Sequence, residues 1–506
     1  MAEEGRVEKT MKGGRLFMWN GKVICATLIS LMLALSFGTS TAQAWTPEEQ
    51  ALLDKVKEIA SENAGKWSLE EAAKSYKGVT LKILADAATE ADAPQKYDSE
   101  FTDKTGIEVV WEQNPWDEHR SKMFMDFAAG TGIYDLVWVP FDDMASVTGK
   151  EYVQPVDKFM RDPKLLDPNI NLDDYSEPLW KYTSWYGKPA KPYGFPCENP
   201  TMILWYRKDL FENPIEKENF KKEYRYELQV PKNFAQFYHV AEFFTRKKGE
   251  KLAGEELNRD FYGVGCSGKR HWASVCEWMN LASSWGGPTW GGTLDENDNI
   301  VINRPENVEA LEYWISLFRF SPPGSVDWYW DLKTTAFQKN IVAMALAWND
   351  QSYEVEDAEK SEVSGKMGYD IIPTQKYPVS HFGSWSWTIP TKAKNPEAAW
   401  LYLQWVNSRD IALKCALEGA MPSRKYVFDS PEISTIPFMP ATKKALDYAF
   451  PRPVHRPEWG EMGEILALYL TKAHRMEMTA QEALDKVAVE WQKLLGTSIV
   501  YQPKTQ

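Results

Sequence analysis

The chain has 506 residues, 43% hydrophobic and 26% charged, with 30 Gly and 30 Pro, a composition that excludes disordered, collagen-like and low-complexity classes and leaves room for two to three domains. Lys and Arg total 58 against 72 Asp and Glu, a formal charge of -14, so the basic field that a phosphate backbone needs is missing and no nucleic-acid partner is expected. The 23 Trp, beside 23 Tyr and 22 Phe, require either a large core or flat binding surfaces.

Arg6, Lys9, Lys12, Arg15 and Lys22 precede an uncharged run from Val23 to Phe37 and small residues ending Ala42-Gln43-Ala44. A basic segment, an apolar run of about 15 residues and small residues at the end describe a cleavable secretory signal over 1–44, with Trp45 first in the mature chain. Glu3, Glu4 and Glu8 dilute the basic segment, which makes Met11 or Met18 an alternative start. No Cys follows the run, so a freely soluble periplasmic protein is expected rather than a lipid-anchored one. Cys197, Cys266, Cys276 and Cys415 remain. They leave open two bridges in any of three pairings or four buried thiols. No CxxC occurs, so no metal and no redox cofactor is expected.

Thr46-Pro47-Glu48-Glu49 reads as a helix start, and Leu52, Leu53, Val56 and Ile59 recur at helical spacing in an extension reaching toward Tyr76. Val79 to Leu84 then alternates as a strand. The pattern repeats with a helix over 94–105, a strand over 107–111, a helix over 116–129 and a strand over 134–140. Strands alternating with helices predict an α/β fold with a largely parallel sheet. Ligands of such sheets sit beyond the carboxyl ends of strands, which makes Thr89-Glu90, Asn114-Pro115-Trp116 and Phe141-Asp142-Asp143 neighbours on one rim. A Pro-rich interval over 186–200 leads into Met202–Tyr206, a crossing to a second α/β set with strands over 262–266 and 342–348 and helices over 273–285 and 307–318. Ile371-Ile372-Pro373 marks a second crossing, and helices follow over 396–407, 460–474 and 480–495.

Several segments in this order carry a resemblance. Phe101 to Val109 (FTDKTGIEV), Ala128 to Pro140 (AAGTGIYDLVWVP), Trp205 to Phe211 (WYRKDLF), Asn395 to Trp400 (NPEAAW) and Gly419 to Arg424 (GAMPSR) are similar to successive motifs of the sugar-type extracellular solute-binding proteins of ABC importers, the maltose-binding kind. The resemblance covers about residues 79–495. It implies a two-lobe periplasmic-binding-protein fold that closes on a ligand by hinge motion and delivers it to a membrane permease. Residues 78–196 with 373–428 would form one lobe and residues 197–372 with 429–496 the other, with a helical extension over 45–77 and a tail over 497–506. Asn340 stands where the family usually has a glycine, which puts that turn's geometry in question, and the extension has no obvious family counterpart.

Sugar rings have apolar faces and polar rims, so their sites combine indoles with carboxylates, amides and guanidinium groups. By position, the resemblance assigns ligand contact to Glu90, Asp142, Asp143, Glu198, Asn199, Arg270, His271, Trp272, Trp348, Asn349, Gly383, Ser384, Trp385, Glu458 and Trp459. Trp111 and Trp138, inside expected strands, read as core. Trp328-Tyr329-Trp330 reads as a lip of the cleft or a packed corner.

Gly263 to Lys269 (GVGCSGK) mimics a phosphate-binding loop, but Arg270 occupies the place of the magnesium-binding hydroxyl, and a Gly-rich corner on the cleft rim is the better reading. Asp295 to Glu306 mimics a calcium loop, but Ile300 stands where the loop needs Gly, so a hairpin with a polar turn is expected. A non-catalytic monomeric binder of a sugar or polyol is the expectation. A charged solute such as a polyamine or an organophosphate is the alternative, with an acidic cleft favouring a cation and Lys269 with Arg270 favouring an anion. A secreted glycoside hydrolase built on paired carboxylates is the remaining rival.

Overall fold

Thr46 caps the first helix, Pro47–Asn63, through a reciprocal bond pair with Glu49, as the Thr-Pro-Glu-Glu start predicts. The computed structural model describes residues 45–503. The expected signal segment 1–44 and residues 504–506 lie outside the described residues. The extension is not one helix: the chain turns through Gly65 at φ +69°, and Ser68 caps a second, shorter helix, Leu69–Ala73. Leu52, Leu53, Val56 and Ile59 pack into the same core as the first strands. Trp45 lies 5.9 and 4.8 Å from the rings of Trp180 and Trp185. The extension is thus part of the first lobe's hydrophobic packing.

Nine strands form the two main sheets: β1 Thr80–Asp86, β2 Glu108–Asn114, β3 Leu136–Pro140, β4 Gly194–Pro196, β5 Met202–Arg207, β6 Tyr262–Val264, β7 Val342–Trp348, β8 Met367–Asp370 and β9 Trp385–Thr388. The first sheet has the order β2-β1-β3-β9-β4 and the second β6-β7-β5-β8. β1 runs parallel to β2 and β3, and β6 parallel to β7. β9 and β5 are antiparallel to their neighbours because each enters its sheet from the other one. The helix Trp116–Ala129 lies where the sequence predicts it, whereas the expected helix over 94–105 is two helices, Thr89–Gln95 and Asp98–Thr105.

The chain passes between the sheets from β4 to β5 and from β8 to β9, and the two crossings bond to each other. Gly383 N donates to Pro200 O at 2.8 Å and Cys197 N to Trp385 O at 2.8 Å. A further passage lies near residue 416, since Cys415 and Ala420 pack in the first core while Ala416 and Met421 pack against the second sheet. Arg424 of the late motif is 1% exposed and donates to Ile170 O and Asn171 O, a structural tie.

Most of the tryptophan is core. Trp138, Trp180, Trp185, Trp387, Trp400 and Trp405 pack around the first sheet, and Trp205, Trp278, Trp285, Trp314 and Trp491 around the second. Trp138 is buried as expected, and Trp111 is partly buried, with its indole donating to Asp98 at 2.8 Å. Asn340 adopts φ +52°, a left-handed backbone that Asn tolerates better than most residues. The four cysteines are free thiols. Asp295 accepts from Asn297 N and Asn299 N at 2.8 Å each beneath a Leu294–Ile300 bridge, the hairpin turn expected there. At Gly263 of the Gly-rich corner, a Cβ would lie 1.7 Å from Ala241 O. That glycine therefore serves close helix-to-strand packing rather than phosphate binding.

Candidate functional site

The carboxyl ends of the parallel strands in both sheets point at one cavity of about 170 Å³, where sheets of this kind place ligands. From the first sheet come Asp86 at the end of β1, Glu90 in the next helix, Trp116 after β2, and Pro140 at the end of β3 with Asp142 just beyond it. From the second come Trp272 and Cys276 in the helix Trp272–Gly286, Trp330, and Trp348 with Asp350 and Gln351 at the end of β7. The crossings supply Glu198, Pro200, Gly383, Ser384 and Trp385, and Arg452 completes the wall. Five indoles and five carboxyl groups thus face one space with a single guanidinium.

The indoles are held by neighbours rather than left free. Trp385 packs edge-on against Trp116 at 5.0 Å and against the His119 ring at 5.1 Å. His119 in turn is fixed by Trp138 O at 2.8 Å. Trp272 leans on Trp459 at 5.5 Å, and Trp330 on the His271 ring at 4.5 Å. Locked ring orientations are what a stacking platform needs.

Arg452 lies with Nε 3.2 Å from Asp142 Oδ1, over the Phe141 ring at 4.4 Å. Asp142 also accepts from Trp459 Nε1 at 2.7 Å. This joins the helix Phe141–Gly149 of the first set to the helix Trp459–His474 of the second. Burial nevertheless raises the Asp142 carboxyl. The other acids have no such partner. Burial pushes Asp86 up to about 6. Burial, then the nearby Asp350 carboxylate, raises Glu90. Burial, then Glu90, Asp350 and Asp86, holds Glu198 well above the usual range. Burial likewise raises Asp350. Desolvation of several like charges in one space always favours the neutral forms.

Of the positions read from sequence, Glu90, Asp142, Glu198, Trp272, Trp348, Gly383, Ser384 and Trp385 line the cavity together. The rest lie outside its lining, each for a local reason. Asp143 makes a two-point pair with Arg120 at 2.7 Å. Asn199, on the crossing itself, is buried. Asn349 accepts from Thr201 N at 2.7 Å, which ties the crossing to β7. His271 caps its helix by accepting from Ala273 N. Arg270 reaches Glu464 on the exposed surface, Glu458 reaches Arg456, and Trp459 is fully buried. Lys269 sits over the Tyr329 ring.

Asp86, Cys276, Gln351 and Arg452 line the cavity without having been singled out. Asp86 had a signal, since it ends the first parallel strand. Arg452 had none, because the segment Phe450-Pro451-Arg452-Pro453 meets the cavity only through the tertiary fold. Among the described residues, no group of three or more His, Cys, Asp and Glu is placed to hold a metal.

Comparison with known proteins fits this geometry. The model of the family described as bacterial extracellular solute-binding protein matches residues 84–412. A probable amino-acid ABC transporter periplasmic-binding protein of Sinorhizobium fredii is 22% identical over 74% of this chain and 79% of its own length. An erythritol/L-threitol-binding protein of Mycolicibacterium smegmatis is 23% identical over 70% and 72%. An ABC transporter solute-binding protein of Agrobacterium radiobacter, solved with ribitol, superposes with TM-score 0.68 and 25% identity, covering 83% of this chain and 99% of that one. Another from Agrobacterium vitis, solved with D-mannitol, gives TM-score 0.66 at 22% identity over 83% and 99%. Two sheets exchanging strands across a shared cavity, together with a family match over more than half of the sequence, place the chain in the bacterial extracellular solute-binding protein family, the solute-binding proteins of ABC transporters.

Proposed function

We propose that this chain is the non-catalytic periplasmic receptor of an ABC importer, exported by the 1–44 signal, and that it captures a small polyhydroxylated solute, a sugar or polyol, for a membrane permease. The observation that carries the reading is the cavity: five indoles for apolar C–H faces, with carboxylates, a serine hydroxyl and one guanidinium for hydroxyl groups, contributed from both sheets. Its volume of about 170 Å³ lies below the roughly 300–1,000 Å³ of drug-sized sites, which favours one ring or a short linear polyol over an oligosaccharide. The ribitol and D-mannitol held by the related structures are of that size class. Residues 78–196 with 373–428 and residues 197–372 with 429–496 act as the two lobes, hinged where the crossings bond to each other, so ligand contacts from both sides favour the closed form.

The test is a thermal-shift screen of the mature chain against monosaccharides, linear polyols and oligosaccharides. A bound solute at 100 times its Kd adds roughly 2.7 kcal/mol and raises Tm. A polyol or monosaccharide that shifts Tm and is recovered chemically unchanged is the expected result. A sugar consumed during the assay would make the chain a hydrolase, and no shift with any hydroxylated solute would end the reading.

A further inference from the structure

The charge of the cavity is not that of a neutral-solute site alone. Glu198 is 6% exposed and faces the cavity, and among the described residues nothing donates to its carboxylate; only its backbone oxygen is used, by Ser384. Asp86 Oδ1 and Asp350 Oδ1 are buried with no partner, and Glu90 accepts only a long bond from Met421 N at 3.4 Å. The one cation of the wall, Arg452, is engaged by Asp142. Of the cations outside the lining, Arg120 is paired with Asp143, Lys333 is held by Glu277 at 2.5 Å, and Lys269 and Arg270 turn to Tyr329 and Glu464. An anionic solute would therefore meet uncompensated carboxylates.

We propose that the solute carries a protonated amine, an aminated polyol or amino sugar whose ammonium group is received by Glu198, in a cavity that this carboxyl shares with Asp86, Glu90, Asp350 and the indoles of Trp348 and Trp330. The inference rests on the polyol reading above and narrows it. An ammonium supplies donors and charge where the Glu198 carboxyl has neither among the described residues, and charge-assisted bonds are about twice as strong as neutral ones. Indole faces attract cations as well as C–H groups. A bare metal ion is a poorer occupant, since no set of ligands for one exists among the described residues. The protons that burial keeps on these acids in the empty cavity leave when the ammonium enters, so binding releases protons.

The experiment is calorimetry of the mature chain with matched probes: sorbitol against 1-amino-1-deoxysorbitol, glucose against glucosamine, and 1,4-diaminobutane, in two buffers of different ionisation enthalpy. The expected result is that at least one amine binds about tenfold or more tighter than its hydroxyl counterpart and releases protons between about pH 6 and 8. Glu198→Gln should bring the pair to within about threefold with the fold unchanged by circular dichroism. Equal or weaker binding of the amine overturns the inference and leaves the polyol reading standing. Binding of the diamine alone keeps the ammonium and removes the polyol. No binding by any probe overturns both.

Discussion

Glu277 and Glu198 are both nearly inaccessible carboxylates, at 3% and 6% exposure, yet the structure treats them in opposite ways. Glu277, in the helix Trp272–Gly286, receives Lys333 Nζ at 2.5 Å, Trp314 Nε1 at 2.8 Å and Ser267 N at 3.2 Å. Lys333 in turn donates to Leu346 O. Both charged groups of that network are matched, so the pair fastens a helix, a strand and a corner of the second sheet. The Glu198 carboxyl, on the crossing between sheets, has no donor among the described residues. Burial alone therefore does not separate a structural acid from a binding acid; the presence of partners does, because an unmatched buried carboxylate costs stability that a proton or an incoming donor must offset.

The largest effects should come from breaking the satisfied side. Lys333→Met leaves Glu277 buried and unpaired, and denaturant unfolding should show a loss of about 3–5 kcal/mol. Adding Glu277→Gln should recover much of it, and equal losses in the single and double variants would show that the charge pairing is not what matters there. Trp459 belongs to the same class: it is fully buried and holds Asp142, so Trp459→Ala should cost about 3–5 kcal/mol of stability. Trp348, half-buried on the cavity wall, should instead lose about 1–3 kcal/mol of solute affinity as Trp348→Ala, with little change in unfolding. A reversed pattern would move the platform from Trp348 to Trp459.

Smaller effects belong to the unsatisfied side. Glu198→Gln should leave the empty protein as stable or more stable at pH 8, by on the order of 1 kcal/mol, since it removes a buried ionisable group that has no partner among the described residues. Asp86 titrates near 6 when folded against an ordinary value of 3.8, so between those values the folded chain holds more protons than the unfolded one. Its contribution is full below about pH 4 and is lost as pH rises through about 6. Melting of the empty protein should therefore fall by a few degrees more across that window than melting of Asp86→Asn, and matching slopes would remove Asp86 from the group.

Much of this molecule is legible before folding. The Thr46 cap, the strands β1 and β7, the helix Trp116–Ala129 and the two crossings follow from capping chemistry, alternation and Pro-rich punctuation, which act between residues close in sequence. The rim acids Glu90 and Asp142 follow from their places after parallel strands. The break in the extension escapes such reading because Gly65 and the Ser68 cap interrupt a pattern whose polar face continues.

What only the tertiary structure decided is which side chains share a space. Trp385 and Trp459 both sit in polar stretches of sequence. One forms a cavity wall and the other is sealed behind Asp142, because the helix Trp459–His474 packs inward on the second core. Asn349 and His271 carry suitable chemistry and were consumed by backbone bonds, the first from Thr201 in the distant crossing and the second from nearby Ala273. Arg452 came to the cavity from a segment more than 300 residues from Asp142. Periodicity and spacing report neighbours along the chain, whereas a binding site is made by desolvated groups brought together from distant segments, and their charge balance exists only once the sheets face each other.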